Sequence, residues 1–360
     1  NFLYWLGVNH SEIFIQLFAD FVGLKEEKLN LSNLNREKAN IDLSFKINNK
    51  KFIIENKVKS MPYQSQLEKY SEKNPESDYY ILLSLTDPLF FNTEDEDKNK
   101  SLLLDDDTKW LYLSYKKISK ILRQCEDEIK DNYHKELIKD YRGFIEDLIK
   151  IAELFKVEDN ENFNFHSDKY DNYLKILSEV KLHDLYLKRK YELLGYKVFQ
   201  KLKNKKNNLL EFGTKQIPDK KVTNKINVNS GMTRAQGFFN VKYFVSENVA
   251  VGIQIQGEFY KMMVLDNDKR TALKVKEKIK EKDLWFNFSD DLPNHKPEHI
   301  YPKSKTKKFN QYSNSFFYQY VKLGHSLKSE NLINIILSDI DKLEDNIDDM
   351  HVSTADSNMP

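Results

Sequence analysis

Residues 40–70 limit the possible folds of this chain more than any other stretch. They read NIDLSFKINNKKFIIENKVKSMPYQSQLEKY. Two runs of alternating apolar and polar residues flank Asn48 and Asn49. Asparagine tolerates the positive φ that a two-residue turn requires, so the pattern predicts a β-hairpin. The expected register pairs Ile47 with Lys50 across the turn, and this fixes every other pair along the two strands.

The predicted register sorts the side chains of the hairpin onto two faces of a sheet. One face receives the apolar residues Leu43, Phe45, Ile47, Phe52 and Ile54. The other face receives Asp42, Ser44, Glu55 and Lys57. Asp42 then lies directly opposite Glu55, with Cβ atoms about 4.5–5.5 Å apart. We expect the apolar face to be core and the polar face to carry a site.

Two opposed carboxylates repel each other unless a positive charge compensates them. Lys57 shares their face, but one ammonium cannot neutralise both Asp42 and Glu55. A divalent cation can, and one or two carboxylates completed by water and phosphate oxygens are the ligands that Mg²⁺ prefers. The alternative interpretation is a solvated polar face whose charges pair with distant lysines or arginines.

A helix is predicted to follow the hairpin, beginning near Pro62 and ending before Asn74, with Gln66 and Tyr70 one turn apart. With this helix in place, the chain resembles the PD-(D/E)xK nuclease superfamily, in the version with the QxxxY helix of RecB-type nucleases. The resemblance covers about residues 2–150, and it rests on Ile41, Asp42, Glu55, Asn56, Lys57, Gln66 and Tyr70. Ile41 replaces the signature proline, which the superfamily commonly tolerates.

The resemblance implies an α/β, restriction-endonuclease-like core with a mixed central sheet flanked by helices. It implies a metal-dependent nuclease acting on DNA, set in prokaryotic defence or restriction, with Mg²⁺ as cofactor and Mn²⁺ as a substitute. The implied catalytic residues are Asp42, Glu55, Lys57, Glu12, Gln66 and Tyr70. The implied metal ligands are Asp42, Glu55, the backbone carbonyl of Asn56, and Glu12. Two alternatives stay open, an RNase on the same fold and a silent binding module that keeps the core.

Glu12 has two interpretations at this stage. Asn9 followed three residues later by Glu12 forms a capping box at the start of a helix, which is predicted to end at Gly23. In the resembling family, an acidic residue on this first helix faces the metal site. The sequence leaves both interpretations open.

Composition and length limit the other classes of function. The 360 residues suggest two domains, and we place the boundary between residues 155 and 156. The net charge is +1, so a nucleic-acid-binding surface must be local. The single Cys125 excludes an internal disulfide framework and suits a reducing cytoplasm. No apolar run approaches the roughly 20 residues of a membrane span.

The rest of the first half is predicted from its apolar patterns. Glu26 to Ala39 is polar and is predicted to be a connection, in which Arg36 is a candidate phosphate contact. Asp78 to Leu85 is predicted to be a buried central strand. The remaining predictions are an acidic loop over residues 92–107, a last strand over residues 110–115, and two or three helices over residues 116–155.

The second half is predicted to be an α+β module that binds nucleic acid or forms a homo-oligomer. Its expected elements are a helix over residues 173–196, a hairpin over residues 241–245 and 249–255, and helices over residues 269–282 and 331–347. Lysines near aromatic residues suit phosphate contacts and base stacking. The candidate nucleic-acid contacts are Arg36, Arg234, Lys303, Lys305, Lys307 and Lys308.

Overall fold

The computed structural model describes residues 2–38, 40–91, 100–104, 107–163, 171–213, 223–233, 236–246, 249–266, 269–282, 300–301, 310–313, 316–324 and 326–350. The chain divides into two compact units, Asn1–Phe155 and Lys156–Pro360. Among the helices of these ranges, none combines the length and apolarity that crossing a membrane requires.

A six-stranded mixed sheet forms the centre of the first unit. Its strands are β1 (Leu31–Lys38), β2 (Ile41–Ile47), β3 (Lys50–Lys57), β4 (Tyr79–Ser84), β5 (Ser101–Leu103) and β6 (Lys109–Ser114). In the order β1-β2-β3-β4-β6-β5, the pairs β3–β4 and β4–β6 are parallel and the other pairs antiparallel. The helices are α1 (Phe2–Asn9), α2 (Ser11–Val22), α3 (Gln64–Lys73), α4 (Tyr115–Cys125) and α5 (Asn132–Glu153). This is the mixed α/β architecture that the sequence predicts.

The hairpin of β2 and β3 has the predicted register. Five Cα pairs run from Leu43 opposite Ile54 to Ile47 opposite Lys50. Of the two turn residues, only Asn48 has a positive φ, at 53°. Its side-chain oxygen also accepts a hydrogen bond from the backbone N–H of Asn30 at 2.9 Å. The alternation of the strands and this turn therefore fix the register locally.

Both faces of the sheet are apolar over most of their area. On one face, Phe45 packs against Phe14 and Phe52, with ring centroids 4.8 and 4.9 Å away. On the other face, Ile53 and Leu67 belong to a second buried cluster that also contains Ile41, Tyr80, Leu82, Trp110 and Tyr112. The sequence predicts a polar face that carries a site. Most of this face is instead apolar and packs against α3, and the site occupies only the end of the strands.

The segment predicted to be a polar connection is partly an edge strand. Leu31–Lys38 forms β1 and pairs antiparallel with β2, with a register shift between Ser32 and Asn35. Most of its side chains are exposed. Backbone hydrogen bonds to β2 hold an edge strand of this kind, so no apolar alternation marks it in the sequence.

The second unit is built on a seven-stranded antiparallel sheet. The strands are β7 (Ile226–Met232), β8 (Gly237–Phe244), β9 (Val249–Gln256), β10 (Phe259–Asp266), β11 (Ile300–Tyr301), β12 (Asn310–Ser313) and β13 (Phe316–Lys322). The helices are α6 (Asp171–Glu179), α7 (His183–Lys203), α8 (Lys269–Glu281), α9 (Ser329–Asp345) and α10 (Ile347–Met350). The strands follow the order β11-β13-β10-β9-β8-β7, and β12 also pairs with β13.

The single helix predicted over residues 173–196 is in fact two helices. Lys181 adopts a φ of 61° between α6 and α7, and the backbone N–H of Leu182 bonds the carbonyl of Leu177 at 2.7 Å. A residue in the left-handed region ends a helix by turning the chain back onto its last carbonyls. Because this residue is a lysine and not the usual glycine, no residue pattern marks the break between the two helices.

The buried aromatic cluster gives a prediction for the stability of the first unit. Phe45→Ala should lower the free energy of unfolding by about 3–5 kcal/mol, because it leaves a cavity between Phe14 and Phe52. Phe144→Ala is the matched control, since the Phe144 side chain is 57% exposed, and it should change stability by less than about 1 kcal/mol. Chemical denaturation followed by tryptophan fluorescence measures both, and equal losses would contradict the assignment of the core.

Candidate functional site

The carboxylate of Asp42 lies where the hydrogen-bond ladder between β2 and β3 ends. The observed register, continued by one pair, sets Asp42 opposite Glu55. The Oδ2 atom of Asp42 accepts a hydrogen bond from the backbone N–H of Asn56 at 2.7 Å. The side chain thus bonds a backbone group of the neighbouring strand, which holds the carboxylate beside Glu55.

Glu55 is 2% exposed, and its two carboxylate oxygens have different surroundings. Oε1 forms an ion pair with Nζ of Lys57 at 2.6 Å and accepts a hydrogen bond from Nε2 of Gln66 at 3.1 Å. Oε2 is buried and has no hydrogen-bond partner in the described part of the chain. Glu55 therefore points away from the layer of Phe52 and Ile54, as the predicted register requires.

The helix α3 supplies Gln66 and Tyr70 from the same side of the sheet. Nε2 of Gln66 also donates to the hydroxyl of Tyr70 at 2.8 Å, one turn further along the helix. Leu67 is fully buried in the second apolar layer, and this packing anchors the helix over the sheet. Gln66 thus joins Tyr70 to Glu55.

A family model described as PD-(D/E)XK nuclease superfamily matches residues 9–142. Residues 9–142 belong to this superfamily. Neither the curated proteins nor the solved structures compared with the chain give a significant match. The match confirms the resemblance seen in the sequence and the restriction-endonuclease-like fold, and membership of this superfamily implies a metal-dependent nuclease.

The oxygen atoms of the PD-(D/E)XK site fit a small, hard divalent cation. The Asp42 carboxylate and the buried Oε2 of Glu55 lie side by side, and the described residues give that oxygen no hydrogen-bond donor. In the described ranges, no three His, Cys, Asp or Glu side chains group closely enough to hold a metal by themselves. An ion that needs few protein ligands, and takes the rest from water and phosphate, suits this set.

Glu12 does not join the two carboxylates of the PD-(D/E)XK site. Its side chain is exposed, and it belongs to no cluster of three acidic residues among those described. The capping-box interpretation is wrong, because Asn9 is the last residue of α1 and the N-cap of α2 is His10, without a side-chain cap. Asn9 instead donates to the backbone carbonyl of Trp5 at 2.9 Å. A role for Glu12 at the metal remains a prediction.

Two tyrosines that no sequence motif marks support the PD-(D/E)XK site from the opposite face of the sheet. The hydroxyl of Tyr115, at the start of α4, donates to Oδ1 of Asn56 at 2.6 Å, and Tyr141 of α5 hydrogen-bonds Tyr115. Burial raises the pKa of Tyr141 to about 12 and that of Tyr115 well above its usual value. Both phenols are thus neutral. One sign of these tyrosines was present in the sequence, namely Asn56. A polar side chain that faces an apolar layer needs a buried hydrogen-bond partner.

The candidate nucleic-acid contacts are only partly described. Arg36 lies on β1 with an exposed side chain, and its guanidinium carbon is 5.7 Å from the ring centroid of Tyr4. The other candidates lie outside the described residues, namely Arg234, Lys303, Lys305, Lys307 and Lys308. The structure thus brings together Asp42, Glu55, Asn56, Lys57, Gln66 and Tyr70, but neither Glu12 nor Arg36.

Burial raises the pKa of Glu55 from 4.5 to about 7. The ion pair with Lys57 lowers it, and the nearby Asp42 carboxylate raises it further. Without a metal ion, the folded protein therefore binds more protons than the unfolded chain between about pH 4.5 and 7. In this window, the contribution of Glu55 to stability falls as the pH rises.

Glu55→Gln should therefore stabilise the protein in EDTA, and more so at high pH. The gain relative to the natural protein should grow from pH 5 to pH 7, level off above, and reach at most about 3 kcal/mol. Denaturation curves at pH 5, 6, 7 and 8 measure it. Glu72→Gln, at an exposed position of α3, is the control and should show no such trend. A gain for Glu55→Gln that does not vary with pH would count against the burial of an ionisable carboxylate.

Proposed function

We propose that this protein is a DNA nuclease that uses Mg²⁺, with Asp42, Glu55 and Lys57 as its catalytic centre. The observation that carries the proposal is the carboxylate of Glu55, which is buried beside Asp42 with one oxygen unpartnered and the other paired with Lys57. A setting in prokaryotic defence or restriction, in the cytoplasm, is part of the same proposal. The resemblance and the lone buried Cys125 support these points.

The ion would be held by Asp42, Glu55 and the backbone carbonyl of Asn56. When bound, Mg²⁺ supplies positive charge that stabilises the negative charge building on the phosphate. The hydrogen bond from the Asn56 N–H fixes the Asp42 carboxylate before any ligand arrives. Because the carboxylate oxygens are already held in position, the site needs little reorganisation during the reaction.

Lys57 is the residue that acts on the attacking water. Its side chain is 13% exposed and its ammonium lies 2.6 Å from Glu55, at the edge of the site. An ammonium at this position donates a hydrogen bond to the water and favours its deprotonation by electrostatic attraction. Since one cation faces two carboxylates here, Lys57 alone cannot neutralise the site.

Gln66 and Tyr70 orient the other groups. The two N–H bonds of the Gln66 amide are directed to Glu55 and Tyr70, so the amide fixes the carboxylate and the phenol relative to each other. The Tyr70 hydroxyl accepts from Gln66 and keeps its own proton to donate to a phosphate oxygen. A phosphate contact of this kind positions the backbone of the substrate without reading its sequence.

Substitution of either carboxylate tests the proposed chemistry. Asp42→Asn and Glu55→Gln should each lower the cleavage rate more than about a hundredfold, because each removes a charged ligand while keeping the side-chain shape. The assay uses plasmid, linear duplex DNA, single-stranded DNA and RNA, each with Mg²⁺, Mn²⁺ or EDTA. Glu72→Gln should cleave normally.

Cleavage that persists in EDTA, or that survives both substitutions, would overturn the mechanism. Cleavage of RNA but not of DNA would support the mechanism and identify RNA, not DNA, as the substrate. No cleavage of any substrate by a folded protein would favour the silent binding module.

We also propose that residues 156–360 supply most of the affinity for nucleic acid. The sequence places the lysine group of Lys303, Lys305, Lys307 and Lys308 there, whereas the net charge of the chain is only +1. Lysines near phosphates release counterions, so this part of the affinity falls steeply with salt. Arg36 and Arg234 are weaker candidates for the same role.

Neutralising Lys305, Lys307 and Lys308 together with glutamine should weaken binding. The slope of log affinity against log salt should fall by about 2–3 units, with the metal requirement of cleavage unchanged. The matched control replaces three exposed lysines of the first unit, Lys116, Lys120 and Lys130, with glutamine. Equal effects of the two triple variants would indicate a general charge effect and leave oligomerisation as the role of the second unit.

A further inference from the structure

Two histidines from distant parts of the first unit face each other. His10 lies between α1 and α2, and His134 lies in the first turn of α5, 124 residues further along the chain. Nε2 of His10 is 2.9 Å from Nδ1 of His134, and the two rings meet edge to face at 83°. We call these two residues the histidine pair. Both side chains are only partly buried, so water and small solutes reach the pair.

The surrounding contacts hold both rings of the histidine pair in place. The indole of Trp5 packs against both imidazoles, with its ring centroid 5.5 Å from that of His10 and 5.1 Å from that of His134. Asp131, the N-cap of α5, accepts a hydrogen bond from the backbone N–H of His134 at 2.9 Å. The fold therefore sets the positions of both rings before any ligand binds.

The contact between the two rings shows that a nitrogen lone pair is available. Two protonated imidazoles have only donors, so a hydrogen bond between the rings requires a neutral acceptor ring. The outer nitrogens, Nδ1 of His10 and Nε2 of His134, have no hydrogen bond to a described residue and are not buried, so they are open to water. The proton between the rings can move through water to an outer nitrogen. Both facing nitrogens then present lone pairs.

The separation of the facing nitrogens suits two neighbouring ligands of one metal ion. Histidine nitrogens bind such ions at about 2.0–2.1 Å, so a separation of 2.9 Å corresponds to an angle of about 90° at the ion. Neighbouring ligands make this angle in square-planar and octahedral sites, which suit Cu²⁺ and Ni²⁺. A tetrahedral ion would need the nitrogens about 3.3 Å apart. Because the rings are partly exposed, small rotations can direct both lone pairs to one ion.

The donor atoms of the histidine pair select a different class of ion from the site at Asp42 and Glu55. Imidazole nitrogens are ligands for transition metals, whereas Mg²⁺ takes oxygen ligands. No third His, Cys, Asp or Glu within the described ranges lies close enough to be a ligand with the pair. Water would therefore fill the other positions. The carboxylate of Asp131 interacts electrostatically with both imidazoles, and its negative charge favours a bound cation.

We propose that His10 and His134 together bind one transition-metal dication of the Cu²⁺ or Ni²⁺ class, with water completing its coordination. The bound ion joins the start of α2 to the start of α5 and so stabilises the folded first unit. This inference goes beyond the proposed nuclease chemistry, because the binding needs neither Mg²⁺ nor the carboxylates of Asp42 and Glu55.

Calorimetric titration of the full chain, without an affinity tag, tests the proposal. Cu²⁺ or Ni²⁺ is added in an excess of Mg²⁺, which occupies oxygen sites. Binding should be saturable, with Cu²⁺ bound more tightly than Ni²⁺. Asp42→Asn should bind both ions as the natural protein does. Trp5 gives a second signal, because Cu²⁺ quenches the fluorescence of a nearby indole, and Trp5→Phe should lose this quenching but retain the ion.

His10→Ala and His134→Ala should each weaken the binding of Cu²⁺ by about 10- to 100-fold, because each removes one of two protein ligands. His183→Ala is the matched control, since His183 is also a partly exposed histidine beside a carboxylate, that of Asp184 at 3.6 Å. It should bind the ion normally. Rising Ni²⁺ concentration should raise the thermal unfolding midpoint of the natural protein but not that of His10→Ala.

Electron paramagnetic resonance of the natural protein with Cu²⁺ keeps the test valid if an alanine variant fails to fold. The spectrum should show splitting from two imidazole nitrogens. Displacement of the ion by Mg²⁺, equal affinity of the natural protein and a folded alanine variant, or a spectrum without imidazole nitrogens would each overturn the proposal. Because no readout involves cleavage and Asp42→Asn retains the ion, failure of this proposal is distinct from failure of the nuclease proposal.

Discussion

The burial of one carboxylate, that of Glu55, is the constraint on which the first unit depends. An ionised carboxylate is costly to remove from water unless cations and hydrogen bonds compensate it. Lys57 and Gln66 compensate only Oε1, and Oε2 has no partner among the described residues. The raised pKa of Glu55 is the electrostatic expression of this incomplete compensation. A divalent cation beside Asp42 would complete this compensation, as the proposed metal site requires.

The site is supported from both faces of the sheet. On one side, α3 presents Gln66 to Glu55 and is anchored by buried Leu67. On the other side, Tyr115 holds the Asn56 side chain, whose backbone N–H holds Asp42. Asn56 therefore connects the carboxylates to the helical layer of α4 and α5. Packing far from the carboxylates can in this way set their positions, because each contact fixes the next.

The second unit uses a sheet in a different way. Its apolar face packs on helices and provides stability, whereas its other face keeps amides and rings in one register across five strands. The amides of Asn229, Asn240 and Gln254 are buried, and the hydrogen bonds between them lower the free-energy cost of burying polar groups.

The sequence by itself determined the features that depend on neighbouring residues. Alternation around Asn48 fixed the hairpin register, and hence the pairing of Asp42 with Glu55, because strand pairs next to a tight turn follow from the turn. The spacing of Gln66 and Tyr70 similarly fixed their common helix face.

Only the tertiary structure decided features that join distant segments or depend on backbone bonds alone. The strand β1 has no side-chain pattern, because hydrogen bonds to β2 hold it. The contact of Tyr115 with Asn56 spans 59 residues. The Cα pairing of Asn229, Asn240, Gln254, Lys261 and Tyr320 likewise needs the register of five strands at once. Periodicity describes one segment at a time, whereas these features arise where separate segments meet.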